Sequence, residues 1–164
     1  MSVNREYTTY LALGNGVEEK VVQLLTPLLA DTIFLQNLYK HYQWHVEGDD
    51  HYQYSPLFQK HAAEQLPIID LLARRIRILG ANAPAMPADV VSRKTLEEPS
   101  DPGHDDESMI RNMCILHEKC IKNLRATIDK VHKLGDAGTT DMLVRDVLHL
   151  HELQVLTVRS SLDL

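Results

Sequence analysis

Residues 81–106 read "ANAPAMPADVVSRKTLEEPSDPGHDD" and contain four of the chain's seven prolines. Proline removes a backbone donor and fixes φ, so a run this rich in it cannot continue a long helix. The stretch is polar on both flanks and has room for one short helix, over about Ala88 to Arg93. It predicts a long connection. What lies on either side decides what it connects.

Two segments with helical periodicity precede it and two follow it. The first runs from Val17 to Val46, with Val21, Leu24, Leu25, Leu28, Leu35, Leu38 and Tyr42 recurring at steps of three and four. Asn15 and Gly16 mark its start and Gly48 its stop, and Pro27 should kink it or delay its start. The second runs from Ser55 to Leu79, with Ser55 as cap and Pro56 at the first helical position. Leu57, Leu66, Ile69, Ala73, Ile76 and Leu79 form its predicted apolar stripe, and Pro67 should bend it. The third spans Asp106 to Leu134, with His117 and Cys120 in its stripe. A turn, "LGDAGTTD", with Thr139 or Thr140 as cap, leads into the fourth, Asp141 to Leu162, with His151 inward. No strand-like alternation of any length occurs. One long connection, between the second and third helices, defines an all-α fold: the ferritin-like variant of the four-helix bundle. Residues 1–164 read as one domain of that kind.

With 17 basic and 23 acidic residues the net charge is −6, which argues against a surface built to grip nucleic acid. The N-terminus lacks the basic start and apolar run of a secretion signal. No uninterrupted apolar run of ~18 residues predicts a membrane span. Cys114 and Cys120 lie six apart on one helix, about 240° around its axis, too divergent for an easy disulfide. They read as buried thiols in a reducing, cytoplasmic setting.

His41 and His45 share one helix face and could hold a divalent metal, iron or zinc, with His51 or Glu47 as third ligand. A solvated helix end, where histidine suits the dipole, explains them equally. His61 with Glu64, and His149 with Glu152, place imidazole and carboxylate three apart, in the reverse order of the Glu-x-x-His pairs of di-iron bundles. His117 and His151 read as hydrogen-bonded core histidines. Asp136 and Asp141 flank the last turn, where capping and the helix dipole account for them; in a symmetric oligomer they could instead line a pore that draws in cations.

Three stretches, "LYKHYQWHVEG", "FQKHAAEQLPIIDLLARRIRILGA" and "GDAGTTDMLVRDVLHLHELQV", together resemble the Dps proteins, the small ferritin-like "DNA-binding proteins from starved cells". The resemblance spans nearly the whole chain. It implies a hollow homo-dodecamer that oxidises Fe(II), often with hydrogen peroxide, stores the ferric mineral and limits oxidative damage. It also implies an oxidation site between two subunits, made of two histidines and an aspartate from one and an aspartate and a glutamate from the other. Of those five positions, four are replaced here: the histidine before the tryptophan by Gln43, the second histidine by Ser55, the first aspartate by Gln59, and the glutamate by Arg74. Asp70 is kept. Gln and Ser are weak neutral donors for iron, and Arg74 adds a fixed positive charge one turn from Asp70. The expectation is a degenerate oxidation centre whose Asp70–Arg74 pair stands where metal would sit. The Lys-rich tail with which family members hold DNA is missing as well, which argues against DNA binding at neutral pH. A non-catalytic cage, or a subunit that co-assembles with an active one, is the alternative reading.

Overall fold

The computed structural model describes Val3, residues 9–100 and residues 105–162. Residues 1–2 and 4–8 of the N-terminal tail, residues 101–104 of the crossover and the last two residues lie outside the described residues. Among the described residues there is no strand.

Helix α1 (Val17–His45) packs along α2 (His51–Ile78) as one antiparallel pair. The crossover contains α3 (Pro87–Arg93), which rests on α1. Helix α4 (Asp106–Lys133) packs against the last helical stretch, made of α5 (Ala137–Met142), a π-helical turn over Leu143–Leu148, and α6 (His149–Arg159). This is the ferritin-like four-helix bundle, with the short helix inside the long crossover.

Local chemistry sets most of the boundaries. Asp105 and Ser108 form a reciprocal capping box at the start of α4, whose last turn holds Lys130, His132 and Lys133. Gly135, at φ +83°, ends α4 in the left-handed region that only glycine enters without strain. The crossover is fastened to α1 by Asp31, a fully buried carboxylate. It accepts hydrogen bonds from the Thr95 amide at 2.6 Å, the Leu96 amide at 2.9 Å and the Thr95 hydroxyl at 2.6 Å. Three donors offset the cost of burying that charge.

Four sequence expectations need correction. Pro27 neither delays nor interrupts α1, which runs unbroken through it. Helix α2 begins at His51, one turn before Ser55, because Tyr54 is buried and donates to the Ser161 carbonyl while His51 Nδ1 bonds the Val46 carbonyl. Pro56 therefore lies inside the helix, where it forfeits one hydrogen bond near the end. The stripe of α2 is rotated: Leu66 is 52% exposed, while His61 and Gln65 are buried. Two polar residues occupy core positions there, and a hydrophobicity pattern reads them as surface. Finally, the last helical stretch starts at Ala137 with Asp136 as its cap, rather than at Asp141 behind a threonine.

The apolar core falls into two clusters. One gathers Val21, Leu25, Leu29, Leu72, Ile76 and Val147; the other gathers Leu35, Tyr39, Phe58, Ile110, Met113 and Val158. Along α2 and α6 the buried polar residues His61, Gln65, His151 and Gln154 fall between the positions that feed the two clusters. Helix α1 has the length and hydropathy of a membrane-crossing segment, but 56% of its most apolar window is buried inside the bundle, as a core helix requires.

Candidate functional site

At ~100° per residue, Ser55, Gln59, Asp70 and Arg74 all fall on one face of α2, opposite the buried face. Gln59, Asp70 and Arg74 are exposed and Ser55 is half-buried. Arg74 Nη2 lies 3.8 Å from Asp70 Oδ2, with both side chains open to solvent. On α1, Gln43 is half-buried and its Oε1 accepts from Lys40 Nζ; that ammonium also sits 5.4 Å over the Trp44 ring. Across the two helices these positions therefore offer one carboxylate, two amides, a hydroxyl and, with Lys40, two cations. Such a set attracts an anion or a carboxylate more readily than Fe(II).

The histidines at the end of α1 are paired but not convergent with a third ligand. His41 and His45 are exposed, their ring centroids 4.2 Å apart, and His45 Nδ1 bonds the His41 carbonyl at 2.7 Å. His51 Nδ1 is used on Val46. Among the described residues, no three His, Cys, Asp or Glu side chains converge as a metal ion requires. Exposed His149 stands apart from Glu152, which pairs with Arg125 at 2.5 Å.

Asp136 faces inward. Its carboxylate accepts from Arg75 Nη2 at 2.7 and 2.9 Å, and from the Thr139 amide at 2.9 Å. Burial alone would raise its pKa, but the Arg75 and Thr139 hydrogen bonds outweigh it and hold the carboxyl below its usual value. This is the capping role. Of the two aspartates named for a pore, Asp141 alone is exposed, 3.4 Å from Arg145.

The densest polar chemistry lies inside the bundle. Tyr39 on α1, His61 on α2, His117 and Cys120 on α4, and His151 on α6 are all buried. Tyr39 Oη is 2.6 Å from His117 Nε2 and 3.1 Å from His61 Nδ1. His117 Nδ1 is 3.1 Å from His151 Nδ1, and His151 Nε2 is 3.6 Å from Cys120 Sγ. Burial pushes the His61 and His151 pKa values down to about 4, and burial with the two neighbouring imidazoles pushes His117 well below its usual value. Burial likewise raises the Tyr39 phenol and the Cys120 thiol. All five groups are therefore neutral around pH 7. Beside them, Gln65 Nε2 donates to Gln154 Oε1 at 2.7 Å, and Gln154 Nε2 donates to Glu64 Oε2 at 3.0 Å. Gln65 Oε1 is buried without a partner.

His117 and His151 are hydrogen-bonded core histidines, as expected. Sequence reasoning missed that they meet each other, Tyr39 and His61. The available signal was one histidine in the inward stripe of each of the last two helices; Tyr39 and His61 lay outside the stripes predicted for the first two. The π-helical turn before His151 had no sequence signal, although such turns recur at functional sites.

Residues 22–164 match the family described as Ferritin-like domain. The chain is 36% identical, over 77% of its length and 84% of the relative, to an uncharacterised protein of Kitasatospora aureofaciens. It is 26% identical to the DNA protection during starvation protein 1 of Deinococcus radiodurans, over 86% of this chain and 68% of that one. Among solved structures, DpsC from Streptomyces coelicolor superposes with a TM-score of 0.89 at 35% identity, covering 94% of this chain and 90% of that one. With the crossover bundle and these matches together, the chain belongs to the Dps family of ferritin-like proteins.

Proposed function

We propose that this chain builds a closed, cytoplasmic homo-oligomeric shell that binds and stores iron and limits oxidative damage, without a working oxidation centre at the subunit interface. Dps-named relatives and the ferritin-like bundle support iron as the cargo. The observation that carries the degenerate centre is Arg74, whose guanidinium pairs with Asp70, the only one of the five expected positions still able to hold iron. Lys40, bonded to Gln43, puts a second cation beside another of the five positions. Fe(II) then reaches the shell through acidic surface such as that around Asp141, and mineralises slowly. A dodecamer, oxygen or peroxide as oxidant, and negligible DNA affinity at neutral pH belong to this reading. Because four of the five positions are replaced and two of them carry or touch a cation, a cage without any iron oxidation, or a subunit that co-assembles with an active one, is the second reading.

Fe(II) added anaerobically, then oxidised with oxygen or peroxide, separates the two. In the first reading, ferric absorbance grows slowly but ends in a soluble mineral that elutes with the shell. In the second, iron precipitates as it does without protein. The quadruple variant Q43H/S55H/Q59D/R74E restores the family's ligand set and should give fast, saturable oxidation. A wild-type chain already as fast as that variant would sink the degenerate-centre reading. Mass photometry reads the assembly; a stable monomer rejects the shell.

A further inference from the structure

The iron reading uses none of the five side chains His61, Tyr39, His117, His151 and Cys120, which form one hydrogen-bonded chain across all four long helices. Its proton positions can be assigned by closure. If Tyr39 O–H donates to His117 Nε2, then His117 holds its hydrogen on Nδ1 and donates to His151 Nδ1. His151 Nε2–H then faces Cys120 Sγ, and His61 Nδ1–H donates to the Tyr39 oxygen. The opposite direction closes as well: thiol to His151, His151 to His117, His117 to Tyr39, and Tyr39 O–H to His61. In either setting the phenolic proton points at an imidazole nitrogen that has no hydrogen of its own. The 2.6 Å contact to His117, against 3.1 Å to His61, favours the first.

A fully buried tyrosine has no water to take its proton, and its phenol resists ionisation. Loss of one electron reverses this, because the oxidised phenol is a strong acid. A neutral imidazole already in place then makes electron loss and proton loss a single event. A line of rings leads outward from that phenol. Tyr39 and Phe58 have centroids 6.1 Å apart, Phe58 and Tyr42 5.9 Å, and Tyr42 and exposed His41 5.8 Å.

We propose that Tyr39 is a one-electron donor site: a strong oxidant takes an electron from the phenol, its O–H bond breaks, and the proton moves to His117 Nε2, leaving a neutral phenoxyl radical. The oxidant class is the hydroxyl radical formed when Fe(II) meets hydrogen peroxide, so this purpose rests on the iron-handling reading above. The hydroxyl radical gains the electron to become hydroxide and takes a solvent proton to become water. A second Fe(II) returns an electron to the phenoxyl oxygen, and the His117 imidazolium returns the proton. The net change is one hydroxyl radical, one Fe(II) and one proton converted to Fe(III) and water, with Tyr39 restored. The bundle interior thereby consumes an oxidant that would otherwise attack the shell.

The donor chemistry is tested without iron. Full-length protein is mixed with a ruthenium polypyridyl complex and persulfate, illuminated, frozen and read by electron paramagnetic resonance. The expected result is a neutral tyrosyl signal that is lost in Y39F, with slower formation in D2O. A signal undiminished in Y39F, or a tryptophan signal from Trp44 alone, overturns the assignment. If Y39F does not fold, proton hyperfine spectroscopy on the wild type replaces it. A hydrogen-bonded proton on the radical oxygen that exchanges slowly with D2O supports Tyr39, and a radical without one overturns it. Repeating the experiment with Fe(II) and peroxide addresses purpose separately. The same signal supports the protective role; its absence there, with the photochemical signal intact, rejects that role and leaves the donor assignment standing.

Discussion

Helix α2 presents two faces of opposite chemistry. Outward it shows Ser55, Gln59, Asp70 and Arg74, solvated and paired only by a 3.8 Å ion pair between exposed groups. Inward, two turns from Gln59 or fewer, it shows His61 and Gln65, buried and hydrogen-bonded to Tyr39 on α1 and Gln154 on α6. The family's own site would lie on the first face. In this chain the demanding chemistry lies on the second. Within the single chain an exposed strip can exchange its ligands for amides and a guanidinium at little cost to the fold, because water solvates whatever stands there before subunits assemble. A buried polar layer persists only if nearly every member finds a partner, so its composition is tightly constrained.

The sharpest way to break this contrast is to truncate one residue on each side. His117→Ala removes a fully buried ring, strands His151 Nδ1 and takes away the shorter of the Tyr39 hydroxyl's two contacts, leaving it with His61. The cavity and the lost hydrogen bonds together should cost about 3–5 kcal/mol, read as a lower urea midpoint at fixed subunit concentration. Gln59→Ala, on the outer strip, should leave the midpoint unchanged. Equal losses from the two would mean that the outer strip is buried in the assembly as firmly as the core.

Acid tests the inner face alone. His61 and His151 have folded-state pKa values near 4, below the 6.5 of an unperturbed histidine. The unfolded chain therefore binds protons more readily than the folded one as pH falls below 6.5. Stability is complete above pH 6.5, declines as pH falls towards 4, and stops declining from this source below 4. Each histidine contributes roughly 3 kcal/mol to that slope, and the pair less than the sum, because His117 faces both and couples their titration. Urea midpoints measured between pH 7 and 4 should trace the decline. A flat profile would show that the buried chain is already protonated, or open to water.

The aspartates repeat the contrast on a smaller scale. Asp136→Ala breaks two hydrogen bonds to Arg75 and uncaps the last helical stretch, at a cost of about 2–3 kcal/mol in thermal or urea unfolding. Asp141→Ala should cost almost nothing, since its ion pair with Arg145 is solvated. If Asp141 guides Fe(II), its loss shows in uptake rate and not in stability.

How much of this was legible in the sequence follows the same division. The crossover was readable because prolines and polarity act locally, and α4 because Asp105 and Ser108 signal its start within four residues. The five outer positions could be named one by one, since they lie along linear motifs around Trp44 and in α2, and their role is the proposal made above. The start of α2 was not, because the contact that extends it, Tyr54 to Ser161, joins residues 107 apart in the chain. The inner chain was hidden for the same reason. His117 and His151 each look like one polar residue in an apolar stripe, His61 reads as surface, and only the packing of four helices makes them neighbours. The rotated stripe of α2 follows directly, since His61 and Gln65 stand where an apolar period would have placed leucines.

A small expected effect on stability is also the one that bears most on function. Arg74→Glu places a carboxylate one turn from Asp70 and removes an ion pair between side chains that are 78% and 70% exposed. A pair that open to water contributes below about 0.5 kcal/mol, so the midpoint of unfolding should barely move. Two carboxylates four residues apart on a helix repel weakly in water, which makes a small loss more natural than a gain. A loss well above 1 kcal/mol would mean that a second subunit covers the pair and excludes water from it, since only desolvation makes such a pair costly to break. The same variant restores one of the four replaced positions, so calorimetric titration with Fe(II) under anaerobic conditions should show tighter binding than the wild type. Unchanged stability with tighter binding would show that the outer face lost its metal through charge alone, while its geometry survives.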